Sequence, residues 1–158
     1  MNEQGMSVIV RTVTRLVYGL AIVFGFYVIM HGHLTPGGGF QGGAIVASAF
    51  ALLLVSFGAA GLKGRLNKHL LQSLEEVGAL AFLGLAFAGI GTVFFYNLLA
   101  SSGSPLFGEP VAFGPNAGAL NTGGLVPLMN WAVGLKVLTG IASIVIVMLV
   151  GARKEETE

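Results

Sequence analysis

Four long apolar stretches, almost free of charged residues, constrain the fold of this chain more than any other feature. They cover residues 16–30, 42–58, 77–99 and 124–150. A helix that crosses a bilayer needs about 20 predominantly apolar residues, and each stretch reaches that length with its flanks. Only 9% of the 158 residues are charged, whereas a soluble domain has about 25%. The chain therefore has too few charges to cover a water-facing surface.

These stretches predict an all-α integral membrane protein with a single transmembrane domain over residues 1–158. We expect four transmembrane helices, with a glycine-rich hairpin between the first and the second. Their predicted extents are about 8–31, 40–58, 70–99 and 123–150. The N-terminal apolar stretch is long and no small-residue cleavage site follows it, so we expect it to be a retained helix and not a signal peptide.

The basic residues predict how the helices are oriented in the membrane. Apart from Lys136, they precede the first apolar stretch, lie between the second and third, or follow the fourth: Arg11, Arg15, Lys63, Arg65, Lys68, Arg153 and Lys154. The other two loops, residues 31–41 and 100–123, contain no lysine or arginine. Lysine and arginine are concentrated on the cytoplasmic side of membrane proteins. We therefore predict a multi-pass protein of the plasma membrane with both termini in the cytoplasm.

The residue types that are absent exclude several functions. The sequence contains no cysteine and no aspartate, so it cannot form disulfides, thiolate metal sites or cysteine nucleophiles. Its hydroxyl groups and histidines form no nucleophile–base or metal-binding pattern. We therefore predict no enzymatic activity, no cofactor, no metal and no nucleic-acid partner. A stand-alone membrane enzyme is the least favoured alternative, and activity of the isolated chain would revive it.

The glycine-rich loop matches a nucleotide-binding pattern, but its context does not. The stretch "GGGFQG" satisfies G-x-G-x-x-G through Gly37, Gly39 and Gly42. That pattern indicates dinucleotide binding only after a strand, with an acidic residue about 20 positions further on. Here an apolar helix precedes it, and the next carboxylate is that of Glu75. We therefore interpret the match as accidental.

A mechanical role explains the same loop better. Pro36 cannot continue a helix, and consecutive glycines permit positive φ and a close approach of the backbone. The segment is predicted to form a tight hairpin between two antiparallel helices. We expect it to pack against a partner and to border an ion or water path. Its residues are Pro36, Gly37, Gly38, Gly39, Phe40, Gly42 and Gly43.

His31 and His33 are candidates for an ion pathway, although a passive role is favoured. Zinc needs three or four ligands, and the nearby sequence offers only these two side chains. The simpler interpretation places both histidines at the outer membrane interface. A role in proton relay remains open, because histidine titrates near neutral pH.

Lys136 lies near the middle of the fourth apolar stretch, where a charged side chain costs roughly 3 kcal/mol. Asn130 and Thr139 offer nearby side-chain oxygens, but we expect no carboxylate of this chain at the same depth. Lys136 is therefore predicted to pair with a carboxylate of another subunit, or to act electrostatically on a proton or sodium path. The alternative is a neutral or hydrogen-bonded lysine that only fixes helix packing.

Glu75 and Glu76 are predicted near the cytoplasmic start of the third helix. Carboxylates are favoured there by the helix dipole, and the basic residues of the preceding loop could pair with them at the surface. A role in ion entry is the functional alternative.

The outer segment, residues 100–123, is long for a connection and mostly apolar. An apolar segment of this kind is expected to pack on something and not to extend into water. Phe107, Val111 and Phe113 are its candidate contacts with the membrane surface or with a neighbouring subunit.

Two stretches resemble the signatures of a known family. The stretch "GHLTPGGGFQGG", residues 32–43, resembles the signature of the B-type subunit of multisubunit Na⁺/H⁺ antiporters, the Mrp or Mnh family. The stretch "NTGGLVPLMNWAVGLKVLTGI", residues 121–141, is similar to that family's second signature. The second signature contains Thr122, Gly123, Gly124, Asn130 and Gly134. Related subunits also occur in ion-pumping respiratory complexes such as membrane-bound hydrogenases.

This resemblance implies a four-helix, non-catalytic subunit that works only within a larger assembly. Its partners would be other membrane subunits and the lipid bilayer, and the transported ions would be Na⁺ and H⁺. The subunit would shape the cation or proton pathway and hold its neighbours, either in a stand-alone antiporter or in the ion-translocating module of a respiratory complex. The alternative is a purely structural subunit with no role in the ion path.

The predicted orientation can be tested with single cysteines, because the chain has none of its own. In intact cells, a membrane-impermeant maleimide is expected to label Ser102→Cys and to leave Lys63→Cys unlabelled. In inside-out vesicles the pattern should reverse. Labelling of Lys63→Cys in intact cells would contradict the orientation.

Overall fold

The computed structural model describes residues 6–58, 68–88, 93–111 and 119–155, and within these ranges it contains four α-helices and no strand. The helices are α1 (Val8–Met30), α2 (Gly39–Phe57), α3 (Lys68–Phe87) and α4 (Val126–Glu155). Each contains a segment long and apolar enough to cross a membrane. The predicted all-α membrane fold with four helices is therefore confirmed.

The third helix ends earlier than its apolar stretch predicts. α3 ends at Phe87, so the predicted extent of 70–99 is wrong at its C-terminal end. The sequence "GIGTV" at residues 89–93 consists of glycine and β-branched residues, which are weak helix formers. Beyond it, Phe95 has a positive φ of 61°, and its N–H donates to the carbonyl oxygen of Ala86 at 2.9 Å. The chain therefore turns back over the end of α3.

The spatial order of the helices differs from their order in the sequence. α2 packs between α1 and α4, and α4 packs between α2 and α3. A smaller contact joins α1 to α4. α4 is therefore the element that connects α3 to the rest of the bundle.

Glycines let the backbone of α2 approach both of its neighbours closely. A Cβ atom on Gly42 would lie 2.6 Å from the carbonyl oxygen of Gly25 in α1, and one on Gly43 would lie 2.7 Å from that of Gly134 in α4. Small residues at helix interfaces allow this kind of packing, which is a main source of helix association in lipid. The position of α2 is therefore set by contacts between backbones.

The glycine loop joins α1 to α2 through residues 31–38. Gly37 has a positive φ of 121°, a conformation that glycine adopts without strain. The N–H of Gly38 donates to Gln41 Oε1 at 3.0 Å at the start of α2. Pro36 is exposed, and the Phe40 side chain is 61% exposed. The loop therefore presents these two side chains outward while its glycines turn the chain.

The other ends of α1 and α2 are joined by polar contacts. The hydroxyl groups of Thr14 and Ser56 are buried and lie 2.6 Å apart. The backbone N–H of Met6 donates to the Ser56 carbonyl oxygen at 3.0 Å. These bonds hold the start of α1 against the end of α2.

The segment between α3 and α4 forms an ordered cap in its described parts, residues 93–111 and 119–125. Asn97 joins its two parts, because its side chain donates to the Gly123 carbonyl oxygen at 3.0 Å and accepts from the Leu125 N–H at 2.8 Å. Phe107 is only 8% exposed and packs on Trp131 with a centroid distance of 5.6 Å. Val111 remains exposed, and Phe113 lies outside the described residues. Phe107 therefore packs on a helix of its own chain.

Gly42→Ala is expected to destabilise the bundle by about 1–3 kcal/mol, since overpacking a tight contact costs this much. The added methyl group would meet Ile29 and the carbonyl oxygen of Gly25 in α1. The matched control is Gly84→Ala, because nothing lies within 4 Å of a Cβ atom there. SDS titration of the purified chain, followed by circular dichroism, measures both. Equal midpoints for the two variants would contradict the close packing of α1 and α2.

Candidate functional site

The candidate site is an ion pair between α3 and α4. Lys136 Nζ donates to Glu75 Oε1 at 3.2 Å. The candidate spanning part of α3 is His69–Phe87 and that of α4 is Val126–Leu149, so Lys136 lies close to the middle of its span and Glu75 about a third of the way along its own. The expectation that no carboxylate of this chain lies at the depth of Lys136 is therefore wrong. It rested on a third helix placed too late in the sequence.

Two glycines bring the charged residues together. A Cβ atom on Gly78 would lie 2.9 Å from the backbone nitrogen of Lys136 and 2.9 Å from the carbonyl oxygen of Ala132. A Cβ atom on Gly140 would lie 3.2 Å from Glu75 Oε1. α3 and α4 therefore cross closely at these two positions, and the Glu75 side chain lies against Gly140.

The side-chain oxygens proposed as local partners of Lys136 have other roles. Thr139 Oγ1 donates to the carbonyl oxygen of Leu135 at 2.8 Å and to that of Lys136 at 3.2 Å. Asn130 packs against the glycine loop. The ammonium group is therefore balanced by the carboxylate of Glu75.

Two grooves of about 350 Å³ each run along the α3–α4 contact and share Gln72 and Glu75. The first is also lined by Glu76, Ala79 and Lys136. The second contains Ser143, whose hydroxyl oxygen is buried and has no hydrogen-bond partner among the described residues. We call the polar residues Gln72, Glu75, Glu76, Lys136 and Ser143 the polar seam.

The polar seam lies on the outside of this chain. The side chains of Lys136 and Glu75 are 47% and 35% exposed, although they lie at the depth of the hydrocarbon core. Charged residues within membranes almost always face the interior of a bundle or a water-filled cavity. In the membrane, another protein surface or water therefore has to cover this face.

The two signature stretches pack against each other where the glycine loop and the start of α2 meet α4. A Cβ atom on Gly39 would clash with the carbonyl oxygen of Asn130 and lie 2.8 Å from the backbone nitrogen of Gly134. A Cβ atom on Gly38 would lie 3.0 Å from Asn130 Oδ1. The amide nitrogen of Asn130 is buried and has no hydrogen-bond partner in the described ranges. The glycines of the loop are therefore occupied by contacts within this chain.

The two histidines lie at this end and not at the ion pair. His31 stacks on Tyr27 with a centroid distance of 4.1 Å. His33 lies beside Phe107, at 6.3 Å between centroids, and close to Gly123. Burial is the main cause that lowers the pKa of His33 below its usual value, which favours the neutral ring. The structure does not bring either histidine to Lys136, which lies about three turns after the start of α4.

The remaining residues of the second signature form the turn before α4. Gly123 and Gly124 have positive φ values of 91° and 62°, and Thr122 Oγ1 donates to the Ala119 carbonyl oxygen at 2.8 Å. These residues shape the backbone of the outer cap and carry no charge.

Sequence analysis did not single out Gly78, Gln72 or Asn97. Gln72 precedes the third apolar stretch and Gly78 lies at its start. Only the true extent of α3 shows that both lie where α3 crosses α4. Asn97 had been assigned to the helix itself. An asparagine near the end of an apolar stretch is a signal for a chain turn that could have been used.

The protein matches known sequences over most of its length. The family described as "Domain related to MnhB subunit of Na+/H+ antiporter" matches residues 9–143. An uncharacterised protein of Methanocaldococcus jannaschii is 39% identical over 126 residues, which cover 78% of this chain and 45% of the relative. A putative antiporter subunit mnhB2 of Staphylococcus aureus (strain Newman) is 54% identical over 51 residues, which cover 32% of this chain and 36% of the relative.

A solved structure is also similar to this chain. It is that of the membrane-bound sulfane sulfur reductase, an archaeal respiratory membrane complex, with a TM-score of 0.70 and 28% identity. The similarity covers 92% of this chain and 61% of the matched chain. The chain thus spans less than two thirds of each of these relatives. With residues 9–143 matched, the resemblance inferred from the two signatures is confirmed, and the chain belongs to the family of domains related to the MnhB subunit of the Na⁺/H⁺ antiporter.

Proposed function

We propose that this chain is a non-catalytic membrane subunit of a multisubunit Na⁺/H⁺ antiporter assembly of the Mrp type. In this proposal the polar seam borders the cation or proton path where the chain meets a neighbouring subunit. Family membership and the antiporter name of the S. aureus relative support the assembly. The Lys136–Glu75 pair supports the role in the path.

The observation that carries the proposal is the position of this pair. Its two charges lie within candidate membrane spans, yet both side chains are partly exposed on the surface of the chain. A charged side chain at that depth costs about 3 kcal/mol unless it is paired or hydrated. A purely structural pair would be expected to be enclosed within its own bundle. An outward-facing pair is instead suited to border a path whose other wall belongs to a partner.

The charge of the first groove also suits a cation. It contains the carboxylates of Glu75 and Glu76 and the single ammonium group of Lys136. With all three ionised, the groove carries one excess negative charge, and Gln72 adds an amide oxygen. Oxygen ligands and a negative charge are what a hard cation requires. A proton transferred to either carboxylate would satisfy the same charge balance.

The glycine loop has a different part in this proposal from the one first expected. Its glycines contact α4 of the same chain, so they do not themselves form a surface for a partner. Pro36 and Phe40 are exposed. In the assembly, these two side chains would contact a neighbouring subunit, while the histidines remain under the outer cap.

The solved relative supports one type of assembly over the other. Its complex is a respiratory one, which favours placing this chain in the ion-translocating module of a membrane-bound respiratory complex over a stand-alone antiporter. Purification through a tag, followed by mass spectrometry of the co-purifying chains, tests this choice. Redox subunits are expected beside antiporter-like subunits. A set with antiporter-like subunits alone would support the stand-alone antiporter.

Lys136→Met and Glu75→Gln are each expected to lower coupled Na⁺/H⁺ exchange in inside-out vesicles by about tenfold. Lys136→Met leaves the charge of Glu75 uncompensated, and Glu75→Gln removes a carboxylate of the path. A tenfold decrease in the rate corresponds to about 1.4 kcal/mol on the barrier. Exchange is measured as the recovery of a pH-sensitive dye after Na⁺ is added. The amount of intact assembly is measured in the same membranes.

The double variant Glu75→Gln, Lys136→Met separates a path from a purely structural pair. Replacing both partners of an ion pair by uncharged groups is often neutral for stability. If the pair only holds α3 on α4, the double variant will therefore recover exchange. A path role predicts that the assembly forms normally and exchange stays low. Glu109→Gln, at an exposed position in the outer cap, is the control for loss of a carboxylate elsewhere.

A further inference from the structure

A cavity on a different side of the bundle is not used by the proposed ion path. It has a volume of about 170 Å³ and touches all four helices. Tyr18 and Ile22 of α1, Phe50 of α2, Leu71 of α3 and Leu138 of α4 contribute to its walls. Apart from the Tyr18 hydroxyl group, these side chains are apolar. A cavity of this size with apolar walls stays free of water and accepts apolar guests.

Two arginines lie on the same face of α1 as the walls of this cavity. Arg11, Arg15, Tyr18 and Ile22 are spaced by four, three and four residues, which places them in one row along the helix. The guanidinium group of Arg15 lies over the Phe57 ring at 5.3 Å, beside the end of α2. The row therefore runs from a cationic end of α1 into the apolar cavity.

The charge at this end is not balanced by the helices that form it. α1 and α2 contain no acidic residue, and neither arginine forms a salt bridge within the described ranges. Arg11 Nε is buried and has no hydrogen-bond partner among the described residues. A buried donor without an acceptor is costly. Arg11 Nε itself is closed to other molecules, but the unbalanced positive charge of the two arginines favours an anion supplied by another molecule.

We propose that the cavity and the two arginines form a binding site for an anionic phospholipid. The phosphate group accepts hydrogen bonds from Arg11 and Arg15, whose planar guanidinium groups match its geometry. One acyl chain enters the cavity between Tyr18, Phe50 and Leu138. Arg15 begins about 10 Å along α1, and its long side chain reaches back to the headgroup level. Basic pockets between transmembrane helices on the cytoplasmic side bind such headgroups.

This site is independent of the proposed transport function, because no residue of the polar seam contributes to it. Its occupant is a lipid and not a free anion, since the cationic end continues into a cavity that only an apolar chain can fill. Inorganic phosphate would satisfy the arginines and leave the cavity empty. A neutral phospholipid such as phosphatidylcholine would fill the cavity, but the positive charge of its choline group would be repelled by the two arginines.

Photo-crosslinking tests the site in the full chain, within whatever assembly is purified in mild detergent. The probes are phosphatidylglycerol and phosphatidylcholine with a diazirine in one acyl chain, and mass spectrometry locates the labelled residues. We expect phosphatidylglycerol to label the peptides that contain Tyr18, Phe50 or Leu138. Arg11→Gln with Arg15→Gln should lower this labelling by about 30-fold, since each arginine strengthens anionic-lipid binding about fivefold. Inorganic phosphate should not compete.

Two further variants separate the site from general attraction to the membrane surface. Arg153→Gln with Lys154→Gln also removes two basic residues, from the cluster after the fourth apolar stretch that is likewise predicted to be cytoplasmic. This double variant should leave the labelling unchanged. Ala142→Phe keeps both arginines and fills the cavity, which Ala142 lines, so labelling should be lost. Equal labelling by the two lipids, displacement by inorganic phosphate, or labelling confined to other peptides would each overturn the proposal.

Discussion

The close approach of α2 to its two neighbours is the contact on which the rest of the structure depends. Lipid tails are as apolar as leucine, so hydrophobicity alone does not draw helices together in a bilayer. Gly42 and Gly43 instead bring the α2 backbone against Gly25 and Gly134. This fixes α4, and α4 in turn carries α3. The distance between Glu75 and Lys136 is therefore a consequence of packing that begins two helices away.

The two sides of α4 have different chemistry. On the side toward α2, the glycine loop packs closely on Asn130. The side toward α3 carries two grooves and an ion pair that is partly exposed. A chain with charged groups on its membrane-facing surface is incomplete by itself. Its family membership and its exposed polar seam therefore both support the proposal that it functions among other subunits.

The sequence predicted the number of spanning helices and the family, because each depends on local composition or on a contiguous motif. It did not predict the partner of Lys136. Hydropathy follows apolar length, and residues 93–99 are mostly apolar without being helical, so the third span was placed too late and Glu75 too near its end. The pair joins two residues that lie 61 positions apart in the sequence. It also depends on contacts at Gly78 and Gly140, which follow from packing and not from any local pattern.

The spatial order of the helices has a consequence for how the chain is made. α1 and α2 are neighbours in both sequence and space, so they can pack as soon as both have been synthesised. α3 has its main neighbour in α4, which follows it after a long outer segment. Until α4 arrives, Glu75 has no countercharge in the bilayer, and an unpaired charge there is costly. Entry of α3 and α4 into the membrane as a pair would avoid this cost, so the ion pair bears on biogenesis as well as on the finished bundle.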